Sequence, residues 1–330
     1  MARDQKNKEA LFNEVKGSLF EYLVAKEIAI IGKNELSFQK SLDTNYLNVL
    51  SQQDRMVRQF YPQMLSFLMN SAKEVSKILI AYLKEVPTSS KVVGKFSNSD
   101  LASEIHEADI ILGVMRGPVL ISLKLNKKTS YVNTKSGGIK SFFSQYFSFI
   151  DPKVQEEFNN FIDLEFNRMA FELHSLHDLD YPGNFHLWVA KGFSELPGDL
   201  DPESRGILKA YYARIAEEMH RILEKALKDN KELFQKALPA LLGLGREDIL
   251  QVIYFHDFPQ NQNSVVELHS MEELRGELPK VKILKFGKIS SVELEIGKWS
   301  LHIRVKPMNK FTTTAIKVNC SVRVKADSAS

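Results

Sequence analysis

The run VLISLKL from Val119 to Leu125 constrains this chain more than any other, because it alternates apolar and polar positions with the period of a strand. Just before it, Asp109 opens an apolar run (Ile110, Ile111, Leu112), and Gly113 to Pro118 is turn material, so two neighbouring strands are expected. With successive side chains on opposite faces, Val119, Ile121, Leu123 and Leu125 share one face, and Leu120, Ser122, Lys124 and Asn126 the other. Lys124 thus stands on the polar side of a largely apolar strand. A lone strand lysine is often an edge charge that blocks aggregation, and its functional reading needs a partner. Asp109, at the start of the preceding strand, supplies one at the rim of the same sheet.

An acid on one hairpin strand and a lysine-bearing triplet on the next resembles the PD-(D/E)XK nuclease fold. The triplet here reads Ser122-Leu123-Lys124, and Ala108 stands where the family motif has proline. The resemblance implies an α/β (mixed α+β) fold with a central mixed sheet flanked by helices, and Mg²⁺-dependent hydrolysis of a phosphodiester. It makes Asp109 the principal metal ligand and Lys124 the group that orients or activates water. Ser122, offering a hydroxyl in place of a carboxylate, would hold a metal-bound water or fill the lost carboxylate position. Glu107, two residues from Asp109, shares its strand face if the strand starts early and can supply the missing acid.

The N-terminal segment reads as a helix from about Asn7 to Ile31, ended by Gly32. On it Glu14 and Glu21 fall in one stripe with the small residues Ala10, Gly17, Ser18 and Ala25, which let a helix face approach a sheet closely. Many members of the resembled family bring a glutamate from such a helix to the metal, so Glu21 is the position carried over, with Glu14 in reserve. The Met- and Phe-rich stretch from Ser51 to Lys84, interrupted at Pro62, reads as core helix, and Thr88 to Ser99 as a loop or hairpin.

After the Lys124 strand, the turn Ser136-Gly137-Gly138 leads into an apolar helical stretch. Its backbone N–H groups, with Lys127, Lys128, Lys135 and Lys140, are expected to form a phosphate cradle. Asp151-Pro152 caps a helix to about His177, where His174, His177 and Asp178 read as a surface helix terminus for want of further metal ligands. Asn184 to Ala190 reads as a short strand. Asp201-Pro202-Glu203 starts a charged, solvated support helix towards Phe234, and Ile249 to Phe255 reads as a later strand of the central sheet.

The net charge of +3 says little, but its distribution says more: Lys280 to Lys325 holds 11 Lys and Arg against Glu293 and Glu295, about +9. Short alternating runs there predict a basic β-rich region, with Lys282, Arg304, Lys306, Lys310, Lys317 and Arg323 on the strands and Asn309, Thr312 and Asn319 at a loop and strand edge, suited to phosphates and base edges. The ending FTTTAIKVNCSV is similar in style to the C-terminal parts of some type II restriction endonucleases. Three segments are expected: residues 1–150 with the N-terminal helices and core hairpin, 151–256 helical and returning to the core sheet, and 257–330 contacting DNA.

At 330 residues the chain can bury a full core. No apolar run approaches the roughly 20 residues of a spanning helix, no signal peptide is read at the charged start, and the single Cys320 excludes an internal disulfide, so a cytoplasmic protein is expected, and the resemblance implies a prokaryotic one. The resemblance implies a site-specific, homodimeric endonuclease on double-stranded DNA, paired in its host with a protective methyltransferase. A nucleic-acid-binding protein whose acid–lysine pair is structural, or a helical interaction scaffold, are the alternatives.

Overall fold

The VLISLKL alternation lies within an 11-residue strand of a sheet coated on one face by helices. The computed structural model describes residues 2–93, 108–128, 130–259 and 264–325. In chain order, α1 (Ala2–Ile31), α2 (Glu35–Lys40), α3 (Thr44–Phe60) and α4 (Pro62–Leu83) lead into β1 (Ser89–Val92), β2 (Ile110–Val114) and β3 (Gly117–Lys127). There follow β4 (Val132–Gly138), α5 (Phe142–Tyr146), α6 (Pro152–Leu176), α7 (His186–Ala190), α8 (Pro202–Asp229) and α9 (Lys231–Leu241). The chain then forms β5 (Ile249–His256), β6 (Val265–Ser270), α10 (Met271–Arg275), β7 (Val281–Ile283), β8 (Ser291–Ile296), β9 (Trp299–Pro307) and β10 (Ile316–Val324). The chain is mixed α/β, and among the described residues no helix is long and apolar enough to cross a membrane.

Two compact units result, Met1–Ser130 with Arg246–Glu273, and Tyr131–Gly245 with Leu274–Ser330. These divisions differ from the boundaries expected at 150 and 256. β4 pairs with β10 nearly two hundred residues later, and β6 pairs with β5, so each leaves the segment to which its sequence neighbours assign it.

The first unit holds a mixed sheet in the order β1-β2-β3-β5-β6, antiparallel except where β3 and β5 run parallel. A parallel pair needs a long crossover, and here the crossover is the whole segment 131–245. α1 and α4 lie in one apolar cluster with the sheet: Phe20, Val24 and Ile28 of α1 and Leu68 and Leu79 of α4 are buried with Ile110, Ile121, Leu123 and Val252. The small stripe of α1 does what its size permits. Ser18 and Ala25 are buried, and the Ser90 hydroxyl of β1 donates to the Ala25 carbonyl (2.9 Å). Gly32 ends α1 where a Cβ would stand 2.6 Å from the Pro87 carbonyl, and Pro62 separates α3 from α4 by opening the second of them.

In the second unit an all-antiparallel sheet runs β4-β10-β9-β8-β7. Leu294, Ile296, Leu301, Ile303, Val318 and Val322 are fully or almost fully buried on one face, and α8 packs against β8 and β9. The helix expected to be a solvated support therefore buries Leu208, Tyr211, Ile215, Met219 and Leu223; its alternating charges occupy only the remaining surface. It ends at Asp229, and Asn230 caps α9 by accepting the Leu233 N–H (3.1 Å).

Two further expectations are corrected here. Asn184 to Ala190 is not a strand: Asn184 accepts the His186 N–H (3.0 Å) and the helix α7 puts Trp188 into an aromatic cluster with Phe185 and Phe193. Ring-rich residues favour strands only where a sheet surface waits for them. The α6 end is not a surface terminus either. His174 is fully buried, its Nδ1 at 2.7 Å from the Ala170 carbonyl, and His177 meets the Ser204 hydroxyl at 2.9 Å.

Candidate active site and basic surfaces

Asp109 stands one residue ahead of β2 and terminates its ladder with β3. Its N–H donates to the Ile121 carbonyl (2.7 Å), and its carbonyl accepts the Val93 N–H (3.0 Å). The next donor along β3, the Leu123 N–H, is taken by the Asp109 carboxylate Oδ2 at 2.7 Å. The same oxygen meets Lys124 Nζ at 3.2 Å, with the lysine and aspartate side chains 30% and 20% exposed. The two groups thus converge at a sheet rim. Oδ1 makes no hydrogen bond or ion pair among the described residues.

Ser122, two residues before Lys124 and on its face, is buried. Across the parallel pairing Ser122 is opposite Gln251, which is opposite His269; Lys124 is opposite Ile253, which is opposite Glu267. Opposed residues share a face, so Gln251, Glu267 and His269 join Ser122 and Lys124 on one side of the sheet. His269, itself buried, is held between Glu267 (Nε2 to Oε2, 3.1 Å) and Glu273 (Nδ1 to Oε2, 3.3 Å). These residues escaped the sequence reading. The alternation in VVELHS, Val265 to Ser270, was the signal that could have found them.

No family model, curated protein or solved structure matches the chain. The site rests on its geometry.

Glu21 is half-buried on α1, whose apolar residues cluster with Ile121 and Leu123, on the face of β3 opposite to Ser122 and Lys124. After burial itself, the Glu21 carboxylate is the largest influence raising the Tyr46 phenol of α3 above its ordinary range. Glu14, the reserve, is exposed. Glu107 lies outside the described residues. Among the described residues, no group of three or more His, Cys, Asp or Glu side chains is placed to hold a metal ion.

The phosphate cradle is corrected. Ser136, Gly137 and Gly138 form no turn but the end of β4, paired with Asn319, Val318 and Lys317 of β10, so their backbone belongs to a sheet edge. Lys140 is tied to Asp163 (2.6 Å). Lys127 is exposed at the end of β3, Lys128 donates its backbone N–H to the His256 carbonyl (2.9 Å), and Lys135 sits on β4 close enough to Cys320 to act on its thiol. In the C-terminal loop Asn309 is exposed, but Glu195 takes both the Lys310 ammonium and the Thr312 hydroxyl (2.8 Å to the latter). Lys306, Lys317 and Arg323 lie on strands β9 and β10, on the face opposite the buried apolar rows.

Proposed function

We propose that the chain is a Mg²⁺-dependent DNA endonuclease of the PD-(D/E)XK kind, acting on double-stranded DNA as a type II restriction enzyme does. The meeting of Asp109 and Lys124 on adjacent strands carries this reading. One carboxylate oxygen is committed to Leu123 and Lys124, and the other is left to serve as a ligand.

The donor set fits a Mg²⁺ ion that keeps most of its waters, since Mg²⁺ is usually held by one or two carboxylates together with substrate phosphates. Asp109 would hold it, with the Ser122 hydroxyl next in line. When bound, the ion lowers the pKa of an attacking water and neutralises developing charge on the phosphoryl oxygens. The Lys124 ammonium, partly exposed and anchored by one contact, has donors to spare for that water or for a non-bridging oxygen. Leu123 N–H and the Lys124 ammonium share Oδ2, which ties the lysine to the carboxylate before substrate arrives. Cutting both strands of a palindromic site calls for two such sites about a two-fold axis, hence a homodimer. A companion methyltransferase would protect the host.

A second reading has an observation of its own. Oδ2 of Asp109 stands in for a ladder carbonyl, which is a structural task, and a nucleic-acid-binding protein could keep the ion pair for that alone. Purified protein incubated with plasmid DNA separates the two: the endonuclease cuts with Mg²⁺, stops with EDTA, and loses cutting but not DNA binding on Lys124→Ala. Absence of Mg²⁺-dependent cutting by the wild-type chain leaves only the second reading.

A further inference from the structure

The C-terminal charge count of about +9 is not spread evenly over the folded surface. Lys280 pairs with Glu277 (3.1 Å), Lys282 and Lys325 both pair with Glu295 (2.8 and 2.9 Å), and Lys310 pairs with Glu195. The acid Glu293 faces His302 at 3.6 Å. Among the described residues Lys285, Lys288, Arg304, Lys306, Lys317 and Arg323 have no carboxylate partner, and three of them, Arg304, Lys306 and Lys317, come together on the outer face of β9 and β10. Lys306 stands directly opposite Lys317, and Arg304, two residues along β9, stands opposite Asn319. Arg304 and Lys306 are therefore about 7 Å apart along the strand, with Lys317 roughly 5 Å across from Lys306. Among the described residues no carboxylate pairs with any of the three. The Ser136 hydroxyl donates to Asn319 Oδ1 (3.0 Å), which leaves the Asn319 amide N–H groups as further donors on this face.

Like charges placed opposite each other on a sheet destabilise it. Lys306 registers that cost: burial, then Lys317, then Arg304 lower its pKa. A segment that pairs Lys280, Lys282, Lys310 and Lys325 with carboxylates but opposes two lysines here is arranged for an anion from outside. We propose that the outer face of β9–β10, centred on Arg304, Lys306 and Lys317, grips the sugar–phosphate backbone of nucleic acid. This site lies in the second unit and stands whether or not Asp109 and Lys124 hydrolyse anything.

The test is a fluorescence-anisotropy titration of the full chain with a labelled DNA duplex and, separately, a single strand, in EDTA so that no cutting intervenes, from about 50 to 200 mM salt. Each phosphate contact contributes about −0.9 to the slope of log K against log salt on duplex DNA and about −0.7 on a single strand. Arg304→Gln/Lys306→Gln/Lys317→Gln is expected to flatten the duplex slope by roughly two to three units and to weaken binding more than tenfold at low salt. Lys282→Gln/Lys310→Gln, which removes two paired cations, is expected to leave slope and affinity nearly unchanged. The triple variant should melt no lower than wild type, because it relieves repulsion. Equal losses in both variants, an unchanged triple variant, failure of the wild type to bind either DNA, or binding to phosphatidylserine vesicles in preference to DNA would each overturn the proposal. Failure of the plasmid-cutting test alone leaves it standing.

Discussion

Replacing Asp109 separates its structural task from its chemical one, because asparagine and alanine remove different things. The asparagine variant keeps an amide oxygen for the Leu123 N–H but loses the charge. The ion pair to Lys124, with side chains 30% and 20% exposed, is worth up to about 1 kcal/mol after solvent screening, and a hydrogen bond to a neutral oxygen is weaker than one to a carboxylate by about 1 kcal/mol. Asp109→Asn should therefore cost about 1–2 kcal/mol. Asp109→Ala leaves the N–H of the buried Leu123 without a partner, which adds about 1–3 kcal/mol. In a unit of this size each kcal/mol moves the melting midpoint by about 2–4 °C, so the two variants should melt several degrees apart. Calorimetry of both variants, followed through the transition of the first unit, checks the order. On the chemical side, both should cut plasmid DNA at least a hundredfold more slowly than wild type, because the oxygen that would hold the cation is gone in alanine and replaced by an amide NH₂ in asparagine. If Asp109→Asn cuts within tenfold of wild type, the hydrolytic role of Asp109 is wrong. If the two variants melt together, the ladder-replacing hydrogen bond is wrong.

Ser122→Asp restores the missing carboxylate in a buried position beside Asp109, so without metal it should destabilise the fold by about 2–4 kcal/mol; millimolar Mg²⁺ should then raise its melting midpoint more than that of wild type, and an equal response in both would remove the cation from this face. His256 is held neutral in the fold, its pKa pulled down to about 4 by burial first and then by Lys16 and Lys127. A depressed histidine stabilises above its unfolded value, so at most roughly 3 kcal/mol is present above pH about 6.5 and is lost as pH falls towards 4; His256→Gln should flatten that part of an acid-melting series. Gly297 has φ +58° at the β8–β9 turn, where a Cβ would strike the Glu277 side chain, so Gly297→Ala should lower stability by about 1–2 kcal/mol in denaturant titration. Burial pushes the Cys320 thiol up to about 12, and a disulfide reagent should label it only after unfolding.

What could be read in advance was what neighbours in sequence decide. β2 and β3 form a hairpin, so the alternation of VLISLKL and the tight turn before it suffice to bring Asp109 to Lys124. The Ser136-Gly137-Gly138 segment looked like a turn because its strand partner, β10, lies nearly two hundred residues away and glycine carries no side chain to report a sheet. Glu21 sits on a stripe whose small residues do approach the sheet, yet helical periodicity says which residues share a face and not which face of the sheet they meet. The charge count had the same blind spot. Glu195, which takes Lys310, and Asp163, which takes Lys140, are remote in sequence from the lysines they neutralise, so a tally of basic residues could not separate the cations that the fold uses from those it leaves exposed.

That separation bears on the site itself. A site of one free carboxylate oxygen and a buried hydroxyl, with Glu267 on the same face held to His269, would bind Mg²⁺ weakly by itself, because the ion surrenders its waters reluctantly and prefers to take further oxygens from a phosphate. On the proposed reading, metal and nucleic acid would then stabilise each other's binding, and by linkage each would raise the other's affinity by the same factor. A hydrolase built in this way needs a hold on the polymer that does not depend on the metal. On the proposal above, Arg304, Lys306 and Lys317 would offer one, since their attraction for phosphate needs no metal bound at Asp109. Under this scheme DNA affinity in EDTA should follow the β9–β10 cations alone, while the Mg²⁺ concentration needed for half-maximal cutting should rise when those cations are removed. If that Mg²⁺ requirement stays fixed as DNA affinity falls, metal and DNA bind independently and the coupling does not exist.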